Sequence, residues 1–104
     1  MILEAVMLNV KLGFEQDFEI AFREASSIIS SMNGYLSHEL YRCHEVAGKY
    51  LLLVKWQTVE AHTIGFREAP EYQVWKNLLH HFYDPFPIVE HFEPIQLNRA
   101  KYSK

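Results

Sequence analysis

Residues 49–56, KYLLLVKW, carry apolar side chains on both faces of a strand. Tyr50, Leu52, Val54 and Trp56 point one way and Leu51 and Leu53 the other, because successive strand side chains alternate. The segment 2–12, ILEAVMLNVKL, repeats the pattern: Ile2, Val6, Leu8 and Val10 oppose Leu3, Ala5 and Met7. An antiparallel sheet with one wet face alternates apolar with polar residues, and these two strands do not. Both faces of the sheet therefore need cover.

The rest of the chain supplies cover for one face. From Phe14, the residues Phe18, Phe22, Ala25, Ile29 and Met32 recur every three or four positions, predicting an amphipathic helix that Asn33-Gly34 ends. YLSHELYRCH (35–44) and 49–56 read as strands joined by a short hairpin connection. Thr58 can cap a short helix with Val59, His62, Thr63 and Phe66 on one face. Pro70 suits the first turn of a second helix, whose stripe is Tyr72, Trp75, Leu78, Leu79 and Phe82. DPFP stops it, and 88–97 reads as a closing strand. The order β-α-β-β-α-β predicts a ferredoxin-like α+β sandwich: a four-stranded antiparallel sheet with helices on one face. A second copy is the simplest cover for the other face, so a homodimer through the sheet faces is expected. A monomer would expose an apolar patch larger than such chains usually tolerate.

With 104 residues the chain is expected to form a single domain over 1–104, with 98–104 as a loosely ordered tail. A formal net charge of −3, with acids and bases mixed, argues against nucleic acid as a partner. The longest apolar run, YLLLV, is far too short to span a membrane, and the N-terminus lacks the features of a signal peptide. Cys43 is the single cysteine, which excludes an internal disulfide and suits a reducing cytoplasm.

Histidine is the residue type that raises the question of chemistry. LLHHFYDPFPIVEHF, 78–92, holds His80, His81 and His91. A metal needs three or four convergent ligands, whereas His80 and His81 diverge by about 100° on a helix. Both lie roughly 120–140° from Trp75 by the helical period, so they read as framework, and no metal site is expected. His91 reads as a hydrogen-bonded structural histidine. His62 differs, because it sits on the apolar face of its helix, one turn before Phe66. It is either a satisfied core histidine or a general base. Asn9 is the polar residue that follows Leu3, Ala5 and Met7 on one side of the first strand, and a half-buried amide needs a partner. Tyr72 and Trp75, with Leu79 beside them, either pack the core or line a pocket. Together these residues describe an aromatic cleft with a few polar groups, suited to a flat organic molecule.

The segment YLLLVKWQTVEAHTIGFREAPEYQVWKNLL, together with MNGYLSHEL after the first helix, resembles the antibiotic biosynthesis monooxygenase (ABM) family of dimeric α+β barrel proteins. The resemblance covers nearly the whole chain. It implies a homodimer whose two sheets face each other to form the barrel. It also implies oxidation of a small aromatic, phenolic or quinol-type substrate by molecular oxygen, with no cofactor. Quinone-forming members use an asparagine, a tryptophan four residues later and a tyrosine six after that, positions that correspond to His62, Phe66 and Tyr72. Tyr72 matches in type, His62 substitutes a base for an amide, and Phe66 keeps an aromatic wall. With the strand and helix faces read above, the resemblance makes His62, Tyr72 and Asn9 catalytic candidates, and Phe66, with Trp75 and Leu79 from the apolar stripe, substrate-binding ones. A dimeric module that binds a small hydrophobic ligand without catalysis is the alternative. The haem-degrading branch is disfavoured, because Lys76 stands where its iron-binding histidine should be and His80 would have to face inward to replace it.

Overall fold

The two apolar strands occupy the middle of the sheet. β1 (Ile2–Asn9) and β3 (Lys49–Trp56) pair antiparallel, flanked by β2 (Tyr35–Arg42) and β4 (Val89–Phe92) in the order β2-β3-β1-β4. Helices α1 (Glu15–Ser30) and α2 (Pro70–Leu79) complete a βαββαβ, ferredoxin-like α+β fold. This computed structural model describes residues 1–97; the expected tail over 98–104 lies outside the described residues.

Pairing Val6 with Leu52 and Leu8 with Tyr50 puts those four side chains in one row under the helices. All are 2–3% exposed, and Val54 and Trp56 beside them are fully buried. Phe18, Phe22, Ala25 and Ile29 of α1 and Trp75 and Leu79 of α2 close over them. The helices meet where the rings of Phe22 and Trp75 stand 5.7 Å apart, edge to face. The opposite face of the sheet presents Leu3, Ala5, Met7, Leu51, Leu53 and Phe92 with no helix above it.

Element boundaries depart from the sequence reading where prolines and turns intervene. β1 stops at Asn9 because Val10 leaves the ladder for a bridge to Tyr83. β4 has four residues, not ten, since Pro87 and Pro94 bracket it and cannot donate to a ladder. α2 ends at Leu79 and tightens into a 3₁₀ turn, His80–Phe82, which still buries Phe82.

Between β3 and α2, Thr58 caps as expected, accepting a hydrogen bond from the Ala61 N–H at 3.1 Å. The helix that follows, Ala61–Phe66, is a π-helix, with the Arg67 N–H bonded to the His62 carbonyl. Single π turns often occur at functional sites. Gly34 lets this segment come close: a Cβ there would stand 2.6 Å from Cβ of Ala61, and its φ of +84° also disfavours side chains. The approach presses His62 and Phe66 onto the sheet.

Candidate active site

Glu4 and His62 are the buried polar residues of the described chain, 5% and 4% exposed. β1 places Glu4 in the helix-facing row with Val6 and Leu8, where an apolar residue would ordinarily sit. The strand cannot turn it outward, because its side-chain period is fixed at two. Three neighbours meet it there. The Trp56 indole N–H donates to Glu4 Oε1 at 2.9 Å, and His62 Nε2 lies 3.5 Å from the same oxygen. His91 stands opposite Glu4 on β4, and its Nε2 is 2.9 Å from His62 Nδ1. The His62 ring also stacks on Trp56 at 5.5 Å, tilted by 21°.

Burial pushes His62 down to about 3, helped by the Arg67 guanidinium and by His91, so the ring is neutral at physiological pH. Burial raises Glu4 above its usual range, while the Trp56 N–H and Arg67 pull it partway back. With Glu4 ionised, one arrangement satisfies every contact: His62 directs Nε2–H at the carboxylate and accepts from His91 Nε2–H at Nδ1. Nδ1 of His62 is then hydrogen-bonded to His91, and Nε2 faces the carboxylate at 3.5 Å.

The group opens on a cavity of about 410 Å³ between sheet and helices. Val6, Leu8, Leu52 and Val89 form its floor, and Phe66, Tyr72, Trp75 and Phe86 its walls. Arg67, His80 and Tyr83 add polar groups. The size falls within the range of small-molecule sites. Phe66 is wedged edge-on between Tyr72, at 5.1 Å, and Trp75, at 5.5 Å, so the aromatic walls brace one another. Burial raises the Tyr72 and Tyr83 hydroxyls, which stay protonated and able to donate.

Of the residues expected at one cleft, His62, Phe66, Tyr72 and Trp75 do border this cavity. Two do not. Asn9 is on the opposite face of the sheet, beside Met7, Phe86 and Ile88 at a separate surface depression. Its odd register with Leu3, Ala5 and Met7 dictates that side. Leu79 is fully buried in the core and does not line the cavity. The histidine triplet also needs correction as plain framework. His80 reaches the cavity because the wall continues past the end of α2 into Tyr83, Phe86 and Pro87. His91 touches His62, whereas His81 is exposed and lies against the Phe82 ring. Glu4 and Arg67 are the residues that sequence reasoning missed. A carboxylate in the apolar row of a central strand was the available signal for the first. Among the described residues, no group of three or more His, Cys, Asp or Glu side chains is placed to hold a metal ion.

Residues 1–78 match the sequence profile of the antibiotic biosynthesis monooxygenases. The YczJ protein of Bacillus subtilis (strain 168), an uncharacterized protein, is 59% identical over 95 residues, 91% of this chain and all of that one. A crystal structure from Bordetella bronchiseptica, assigned to the same monooxygenases, is similar at a TM-score of 0.87 and 29% identity, covering 91% of this chain and 97% of that one. A single-residue variant of SnoaB, a cofactor-independent oxygenase from Streptomyces nogalater, shares the fold at a TM-score of 0.80 and 16% identity, over 93% of this chain and 95% of its own. No helix among the described residues is long and apolar enough to cross a membrane. With three quarters of its length matched by the family profile and the fold of its solved members, this chain belongs to the antibiotic biosynthesis monooxygenase family.

Proposed function

We propose that the protein is a monooxygenase that oxidises a small phenolic or quinol-type aromatic with molecular oxygen, without an added cofactor. The observation that carries this reading is the buried carboxylate–imidazole pair opening on an aromatic-walled cavity. Removing the hydroxyl proton makes a phenol electron-rich enough to reduce oxygen itself. The substrate then forms a carbon–oxygen bond, and the resulting hydroperoxide loses water to leave a quinone carbonyl. One oxygen atom enters the product and the other leaves as water, the electrons coming from the substrate. Phe66, Trp75 and Phe86 would hold the flat ring and exclude bulk water, while Tyr72 and Arg67 would steady the developing phenolate.

The same reading makes the protein a homodimer, with the open face of Leu3, Ala5, Met7, Leu51, Leu53 and Phe92 covered by its counterpart to form an α+β barrel. An interface of about 800 Å² per partner is the usual size for a stable pair. A reducing, cytoplasmic setting suits its lone Cys43.

The test is oxygen uptake with a panel of phenols, anthrones and quinols, using isotopically labelled dioxygen. One labelled atom in the quinone product is the expected result. Binding without oxygen consumption would favour the non-catalytic ligand-binding module instead. A haem titration belongs in the same experiment, because His80 does face inward.

A further inference from the structure

We propose that Glu4, not His62, is the group that takes the substrate's hydroxyl proton and returns it, while His62 and His91 act as positioning residues that hold the carboxylate ready. The inference rests on the monooxygenase reading and names the proton acceptor within it. Glu4 Oε1 is occupied, accepting from Trp56 with His62 beside it. Oε2 has no hydrogen bond among the described residues. No fully buried side-chain oxygen or nitrogen there lacks a partner, so Oε2 is not sealed in, and the space Glu4 borders is the cavity. His62 has no comparable free atom, since its two nitrogens face Glu4 and His91. A general base must reach the proton it removes, and on this geometry Oε2 is the atom that can.

Proton and electron balance follow. The phenol O–H bond breaks and its proton passes to Glu4 Oε2. The phenolate's electrons reduce oxygen as the carbon–oxygen bond forms. Glu4 returns the proton to the outer peroxide oxygen, giving a hydroperoxide. Loss of the ring hydrogen and hydroxide, together as water, then leaves the quinone and the ionised carboxylate. The groups around Glu4 favour this cycle. Trp56 on β3 and His62 on the π-helix hold one side of the carboxylate, and His91 on β4 holds the His62 ring in place. Arg67 draws both Glu4 and the Tyr72 hydroxyl of α2 toward ionisation and can offset the phenolate's charge. A carboxylate lifted by burial is also a stronger base than one in water.

The probe is 4-nitrophenol, an acidic phenol that oxygen does not oxidise, followed by infrared difference spectroscopy of the full chain. Wild type should gain the carbonyl band of a protonated carboxylic acid on binding, and Glu4→Gln should not. Glutamine keeps an oxygen for the Trp56 N–H, which preserves the fold. A bound phenol with no new acid band, or the same band in Glu4→Gln, would overturn this assignment while leaving the cavity's function intact. Failure of any phenol to bind overturns both. With an oxidised substrate, Glu4→Gln should lower kcat about 10²-fold or more with KM nearly unchanged, and abolish the acid limb of the pH profile. His62→Gln should shift that limb without removing it. Unaltered turnover in Glu4→Gln contradicts the proposal.

Discussion

The two faces of β1 are built from nearly the same residues and do opposite work. Under the helices lie Glu4, Val6 and Leu8; on the open side lie Leu3, Ala5, Met7 and Asn9. Each face is mostly apolar with one polar interruption. On the covered face that interruption is deeply buried, bonded to Trp56 and beside His62. On the open face it is half-exposed beside a shallow depression. Burying a carboxylate is costly unless it is partnered, and a partnered one that borders a cavity is a candidate for chemistry. An amide at a half-covered edge carries no such implication.

The same charge placed on neighbouring residues of the strand separates the two faces most strongly. Leu8 is 2% exposed and Met7 43%. Leu8→Asp should unfold the chain, exceeding the ~4–5 kcal/mol that few folds of this size survive. Met7→Asp should keep the fold, by circular dichroism, and convert the proposed dimer to monomer by light scattering. A monomeric wild type would remove the second half of the contrast.

Next in size is the response to acid. The folded His62 takes a proton only near pH 3, against 6.5 for the ordinary imidazole. The unfolded chain therefore binds more protons between those values, and stability is lost as pH falls from 6.5 towards 3. Glu4 opposes this: its raised folded value gives stability present below 4.5 that is lost as pH rises through it. The expected net effect from neutrality to mild acid is a loss on the order of a few kcal/mol, measured by urea unfolding. His62→Gln should flatten the curve, though not fully, since His38, His80 and His91 are lowered in the same direction.

A smaller effect separates two adjacent histidines. His80 lines the cavity and His81 does not. His80→Ala should weaken binding of 4-nitrophenol by about tenfold, roughly 1.4 kcal/mol, while His81→Ala leaves it unchanged. Equal losses would show that the cavity wall ends sooner than described.

Why the sequence disclosed some of this and not the rest follows from what each pattern encodes. Apolar periodicity encodes burial, and it located β1, β3, α1 and α2 and the inward side of His62, Phe66, Tyr72 and Trp75. Alternation along β1 separates its two sides but does not say which one the helices cover, so it cannot assign Asn9 to the cavity or to the open face. Its companions Leu3, Ala5 and Met7 are as apolar as the covered row. Glu4 escaped notice because a single charge breaks a hydrophobic pattern without creating a motif. Its meaning depends on Trp56 and His62, brought together over 52 residues by strand pairing and over 58 by the π-helix. His80 departs from its expected place for a local reason. The helical period stops at Leu79, where the chain tightens and the wall passes to the segment after it.

The most direct measurement compares oxygen uptake on one phenolic substrate by wild type, Asn9→Ala and Glu4→Gln, each checked for intact fold. If the helix-covered cavity is the site of oxidation, Asn9→Ala should consume oxygen as wild type does and Glu4→Gln about 10²-fold more slowly or less. Wild-type turnover in Glu4→Gln would remove the carboxylate from the reaction, and that result together with collapse in Asn9→Ala would place the chemistry on the other side of the sheet.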